Sequence, residues 1–169
     1  VGMFSFDALQ GIPRPPDLVA QGNTSTYNSG PTIWLTPDPR QQKSDTMGYS
    51  TGWLLCTTPL GSLGNISAGS LAATILSFHS TFQFQFITPS ASSDTGGDGM
   101  AFFISPLNTI PPNSFGASLA IADTGVANAS HPSLHLFALE FDTFQNPTLQ
   151  DPNDNHVGID INSLVSPVV

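Results

Sequence analysis

No lysine or arginine follows Lys43, yet nine acidic residues do. Any of those carboxylates that folds inward must find a positive charge or lose its own, because an isolated buried carboxylate costs more than a domain's net stability. With the Lys and Arg side chains confined to the first 43 residues, a bound divalent ion is the simplest counter-charge. The acids also gather. Residues 140–156 read EFDTFQNPTLQDPNDNH and place Glu140, Asp142, Asp151, Asn146 and His156 within one strand, one loop and the start of a second strand.

The rest of the sequence says what kind of scaffold carries that cluster. Gly and Pro number 15 each and Phe 12, while charged residues make up 9%; this composition fits a turn-rich β protein better than a helical one. Residues 81–87 (TFQFQFI) alternate strictly, with Phe82, Phe84 and Phe86 on one face and Gln83 and Gln85 on the other, the pattern of a half-buried antiparallel strand. Residues 100–104, 134–142 and 157–162 have similar β-rich makeup, and 3–6, 32–35 and 52–56 are weaker strands. Residues 70–76 fit a helix or a strand. Many short strands split by turn-rich segments predict an all-β sandwich or barrel. A chain of 169 residues is expected to form one domain.

Charge and composition also exclude partners. A formal net charge of −9 argues against nucleic acid and anionic membrane surfaces, both of which need a basic patch. No apolar run approaches the roughly 20 residues needed to span a bilayer. The single cysteine, Cys56, lies in the apolar run WLLC and is expected to be a buried, inert thiol. Asn23, Asn65 and Asn128 each begin an N-glycosylation triplet, which favours a secreted protein whose leader, if there was one, has been removed.

On a strand, residues two apart share a face, so Glu140 and Asp142 present their carboxylates together while Phe137, Leu139 and Phe141 face the other way. The Pro-, Asn- and Asp-rich loop that follows can return Asp151 and His156 to the same strand end. An imidazole among carboxylates suits a transition ion such as Mn2+, and carboxylate, amide and backbone oxygens suit Ca2+. A solvated acidic loop is the competing reading of the same residues. An EF-hand is excluded, because counting from Asp151 the required Gly falls on His156 and the required Glu on Asn162.

With these residues in hand, the chain resembles the legume-type (L-type) lectin family, which includes the lectin domains of plant receptor-like kinases. FALEFDTFQNP and DPNDNHVGIDINSL look like the family's metal-loop signature, and GDGMAFFISP, preceded by TFQFQFITP, looks like a second one. The resemblance is close from about residue 80 to 166 and looser before that. It implies an antiparallel β-sandwich of the jelly-roll, concanavalin-like kind. It further implies that Glu140, Asp142, Asp151 and His156 bind Mn2+, with Ser166 touching it through water. Asp142 and Asp151, with Asn146 and the backbone carbonyl of Phe144, would bind Ca2+. Asp98, on a cis peptide after Gly97, and Asn146 would hydrogen-bond a sugar whose apolar face rests on Phe144. Four acids, Asp98, Glu140, Asp142 and Asp151, facing two divalent ions form a locally neutral group. His79, His131 and His135 lie outside this set and are expected to be surface or structural residues.

Two departures from the family pattern shape the functional reading. Where the family's third sugar loop offers a glycine N–H, the run 116–120 (GASLA) places Ala117, whose methyl could obstruct a ligand. The chain also stops at Val169, where the family's domain continues for several strands. Residues 1–169 are therefore expected to be one lectin domain without its last strands, completed by a second polypeptide, a cleaved partner or a remainder. The leading expectation is a non-catalytic, Ca2+- and Mn2+-dependent lectin that binds glycans weakly and gains avidity as an oligomer, secreted or vacuolar in a plant. The rival is a lectin-like storage, defence or interaction protein that has lost sugar binding. A glycoside hydrolase on a similar sandwich is a third reading, motivated by Glu140-Phe-Asp142. The paired acid that retaining hydrolysis needs is absent, since Gln145 and Asn146 stand where it would be.

Overall fold

The computed structural model describes residues 18–23, 25–26, 33–36, 50–57, 80–86, 97–123 and 134–165. Seven strands occur among them: β1 (Leu18–Gly22), β2 (Ser25–Thr26), β3 (Ile33–Trp34), β4 (Gly52–Cys56), β5 (Gly99–Ile104), β6 (Phe137–Asp142) and β7 (His156–Ile161). They pair antiparallel throughout, as β1-β4, β2-β3 and a three-stranded sheet β5-β6-β7. The expected strand at 3–6, the segment 70–76 that fits a helix or a strand, and His79, His131, Asn65, Asn128 and Ser166 lie outside the described residues.

The three-stranded sheet carries the candidate site, and the side-chain period sets which residues of each strand turn inward. On β6 Ala138, Glu140 and Asp142 are buried, and on β7 His156, Gly158 and Asp160 are buried, so both strands turn the same alternate set inward. Register aligns Asp142 with His156 and Glu140 with Gly158. The buried face is capped by an apolar cluster of Ile121, Ala122, Leu136, Ala138, Leu149 and Leu164. Loop residues supply most of that cap. Leu149 ends the short 3-10 turn Pro147–Leu149, and Ile121 and Ala122 follow another, Gly116–Ser118.

β5 starts at a glycine for a steric reason. Gly99 has φ +137°, and a Cβ there would overlap the carbonyl oxygen of Phe141 on the paired strand. Gly99→Ala is therefore expected to lower stability by about 2–4 kcal/mol, from left-handed strain and displacement of the β5–β6 ladder. Urea denaturation checks this; a loss under about 0.5 kcal/mol, the range of an ordinary surface change, would contradict it.

Two expectations need correction. Residues 81–86 are exposed along their length and belong to none of the described sheets. The predicted phenylalanine face is nevertheless real: Phe82 stacks on Phe102 with centroids 5.6 Å apart, and Phe84 packs on Phe141 at 4.6 Å. Alternation reports which face is apolar, and a ladder additionally needs a strand alongside. Cys56 is exposed rather than buried. It ends β4 in the last pair of that sheet, opposite Leu18, while the inward position on the strand is taken by Trp53.

Candidate metal and ligand-binding site

At the end of β6 and the start of β7, the sequence-predicted acids and histidine converge. One ligand atom each from Asp142, Asp151 and His156 lie within 4.8 Å of one another. His156 Nε2 is 3.5 Å from Glu140 Oε1 and 4.0 Å from Asp151 Oδ1. Glu140 and Asp142 are 3% and 4% exposed, and His156 8%, so solvent does little to screen these groups from one another.

The histidine is held by one of its ring nitrogens. Its Nδ1 lies 3.0 Å from the carbonyl oxygen of Asn153; a carbonyl can only accept, so Nδ1 carries the proton. The buried Nε2 has no hydrogen-bond partner and faces two carboxylates. In the neutral ring that atom is a lone pair aimed at anionic oxygens, an arrangement that is repulsive without a cation between them. An Nδ1–H···O=C bond that leaves Nε2 available is how metal-ligating histidines are held. The donor set, one imidazole nitrogen with carboxylates, fits a transition ion.

The loop residues are tied down by the same acids. Phe144 N–H donates to Asp142 Oδ1 at 2.7 Å, and Asn146 N–H donates to Asp151 Oδ2 at 2.5 Å. Asn146 Nδ2 donates to the Phe144 carbonyl at 3.1 Å. With that nitrogen engaged, the Asn146 oxygen remains as an acceptor that suits a hard cation. Phe144 itself is 44% exposed, which leaves its ring accessible.

Asp98 reaches this position on an ordinary backbone. No cis peptide occurs among the described residues, so the cis bond expected after Gly97 is corrected to trans, the form that non-proline peptides favour by about 3–4 kcal/mol. Thr143 does the positioning: its N–H donates to the Asp98 carbonyl at 3.0 Å and its hydroxyl to the Gly97 carbonyl at 2.6 Å.

The third loop turns its two neighbouring small residues to different sides. Ala117 packs against the apolar core, and the residue that faces Asp98 is Gly116, where a methyl group would lie 3.7 Å from Asp98 Oδ1. The resemblance puts Ala117 at the family's glycine position, whereas the glycine nearest Asp98 is its neighbour Gly116. Gly116 has φ +62°, a left-handed position that favours glycine. Asn23 is exposed, as a glycan acceptor requires, and its side-chain oxygen accepts the Thr51 N–H at 3.2 Å. His135 is exposed, in keeping with a surface role.

Burial pushes the Asp142 carboxyl up from 3.8 to about 6; the Phe144 N–H pulls the other way, Asp151 raises it further, His156 lowers it and Glu140 raises it. Burial also raises Asp98, against a backbone N–H and the Asn146 amide. Since the folded-state value lies above the unfolded one, folding takes up a proton between them. The metal-free protein is thus expected to gain stability as pH falls from above 6 to about 4, by on the order of 1–3 kcal/mol. Thermal scans in EDTA check the sign, which is opposite to that of an acid exposed and paired with Lys or Arg.

Comparison with known proteins agrees with this fold. The family model "Legume lectin domain" matches residues 2–169, and the chain belongs to that family. Agglutinin-2 of Cladrastis kentukea is 38% identical over 169 residues, covering 96% of this chain and 52% of its own. The L-type lectin-domain containing receptor kinase V.9 of Arabidopsis thaliana is 44% identical over 93 residues, 55% of this chain and 13% of the kinase. Among solved structures, the Lotus tetragonolobus seed lectin covers 95% of this chain and 62% of its own at TM-score 0.58 and 22% identity. The Bauhinia forficata lectin in complex with GalNAc covers 90% and 58% at TM-score 0.56 and 25% identity. The fold is thus the antiparallel β-sandwich of these lectins. This chain spans about half the length of Agglutinin-2. Among the described residues no helix is long and apolar enough to cross a membrane.

Proposed function

We propose that this protein is a non-catalytic, divalent-cation-dependent carbohydrate-binding lectin. The observation that carries the reading is His156 Nε2, buried and without a hydrogen bond, facing Glu140 and Asp151 beside Asp142. Glu140, Asp142, Asp151 and His156 would hold Mn2+, with Ser166 reaching it through water. Asp142, Asp151, Asn146 and the Phe144 carbonyl would hold Ca2+. The cations supply the positive charge that keeps these acids ionised while buried, and they fix the loop that bears Asn146 and Phe144.

The chain's own groups would then bind the sugar. Asp98 accepts hydrogen bonds from two neighbouring hydroxyls, which a carboxylate does well. Phe144 covers the C–H face of the pyranose, and Gly116, lacking a side chain, leaves the approach to Asp98 open. The complex of the Bauhinia forficata lectin with GalNAc supports a pyranose as ligand. Affinity for a monosaccharide should be weak, on the order of tens of micromolar to millimolar, so useful retention needs several sites. A multimer would meet that need. Asn23, Asn65 and Asn128 are candidate glycan acceptors, in keeping with a secreted or vacuolar plant protein.

The lectin-like alternative without sugar binding rested on Ala117 as an obstruction. The packing of Ala117 into the core, with Gly116 toward Asp98, favours the binding form. Hydrolysis is disfavoured by Gln145 and Asn146 at the positions a paired acid would take. Titration against a glycan array with saturating Mn2+ and Ca2+ tests the reading; metal uptake with no glycan bound at millimolar concentrations would replace it with the lectin-like alternative.

A further inference from the structure

We propose that Trp53 is a positioning residue for ligand binding: its indole N–H locks the left-handed turn at Leu119–Ala120 and so holds Gly116 against Asp98. The inference rests on the reading of Asp98 as the sugar acceptor.

The turn is strained by its sequence. Leu119 and Ala120 have φ values of 47° and 63°, and consecutive left-handed residues with side chains persist only where the surroundings enforce them. Within the segment, Leu119 N–H reaches the Gly116 carbonyl and Ile121 N–H reaches the Ser118 carbonyl, both at 2.9 Å. These bonds leave the carbonyl of Ala120, a residue only 7% exposed, to be met from elsewhere. Trp53 Nε1 meets it at 3.0 Å, from a ring that is 3% exposed and packs on Phe103 with centroids 4.8 Å apart.

The clamp comes from a separate sheet and has two jaws. Gln21 and Trp53 are cross-strand partners of the β1–β4 pair, so their side chains share a face. Gln21 donates to the Asn108 carbonyl at 2.6 Å and accepts the Ile110 N–H at 3.2 Å. One side chain thus grips the segment near its start and the other at the turn. Between them the chain carries Gly116, whose missing side chain opens the approach to Asp98. If the turn relaxes, Gly116 moves and the rim of the site moves with it.

The test is Trp53→Phe, which keeps a ring for the Phe103 contact and removes the N–H. Glycan affinity is expected to fall about 5–10-fold while Mn2+ and Ca2+ affinities stay within twofold, because Asp142, Asp151 and His156 stand on other elements. Amide exchange across residues 119–122 is expected to speed up about tenfold or more, with β6 and β7 amides unchanged. Adding Ala120→Gly, which removes the left-handed penalty, should restore most of the lost affinity and protection. A general packing role for Trp53 predicts no such rescue. Unchanged affinity and exchange in Trp53→Phe, or loss without rescue, overturns the proposal. If the unaltered protein binds no glycan, the functional reading fails by itself, and the exchange and rescue measurements alone decide whether the clamp exists.

Discussion

Removing divalent cations with EDTA is expected to end carbohydrate retention and to lower the melting temperature by about 10 °C or more at neutral pH. An ion present at 100 times its dissociation constant contributes roughly 2.7 kcal/mol, and two such ions about twice that. For a domain of this size each kcal/mol moves the midpoint by about 2–4 °C. The effect is reinforced by what stripping leaves behind: Glu140 and Asp142 at 3% and 4% exposure, together with Asp151, and with His156 as their neighbour instead of a divalent charge. Protonation then becomes the alternative relief, which is why the metal-free protein should stabilise on acidification while the loaded protein should lose its ions. Calorimetry on native, stripped and refilled samples, with elemental analysis for manganese and calcium, measures both. A natively purified sample without metal, equally stable in EDTA, would falsify the cation-dependent reading.

Asp98→Asn is expected to reduce glycan affinity by more than about 100-fold while leaving ion affinity and the midpoint nearly unchanged. The carboxylate offers two oxygens to sugar hydroxyls, and hydrogen bonds to a charged group are worth about 1.5–3 kcal/mol each. An amide at this position offers one oxygen and one NH2, and the NH2 cannot accept from a sugar hydroxyl. The backbone should hold, because Thr143 bonds the carbonyls of residues 97 and 98 and touches neither carboxylate oxygen. Titration calorimetry with the best glycan from the array supplies the affinity, and a melting scan supplies the control. Retained affinity would place the sugar elsewhere on the molecule.

Much of the site could be read from residue order, for local reasons. Glu140 and Asp142 share a face because they are two apart on a strand, and the structure places both inward with Phe141 on the opposite side against Phe84. Asp151 and His156 could be assigned to the same end because one loop joins two strands that must pair. The unaided chain also showed that its later acids have no Lys or Arg in sequence reach, so burying them calls for another counter-charge or a proton.

Other features were not local and so could not be read. The register that sets Asp142 opposite His156 is a property of two strands, and the alternation at 81–86 named an apolar face without naming a ladder partner. Ala117 and Gly116 are neighbours in sequence, and only the left-handed turn at 119–120 decides which faces Asp98 and which enters the core. The bond from Trp53 to Ala120 spans 67 positions; nothing in either local sequence encodes it. The sequence by itself determined the chemistry available to this protein: acids, an imidazole and an amide with no nearby fixed cation. Tertiary structure alone decided which atoms meet, because side-chain period sets a face locally, while strand register, turn handedness and long-range clamps are fixed only when distant segments pack.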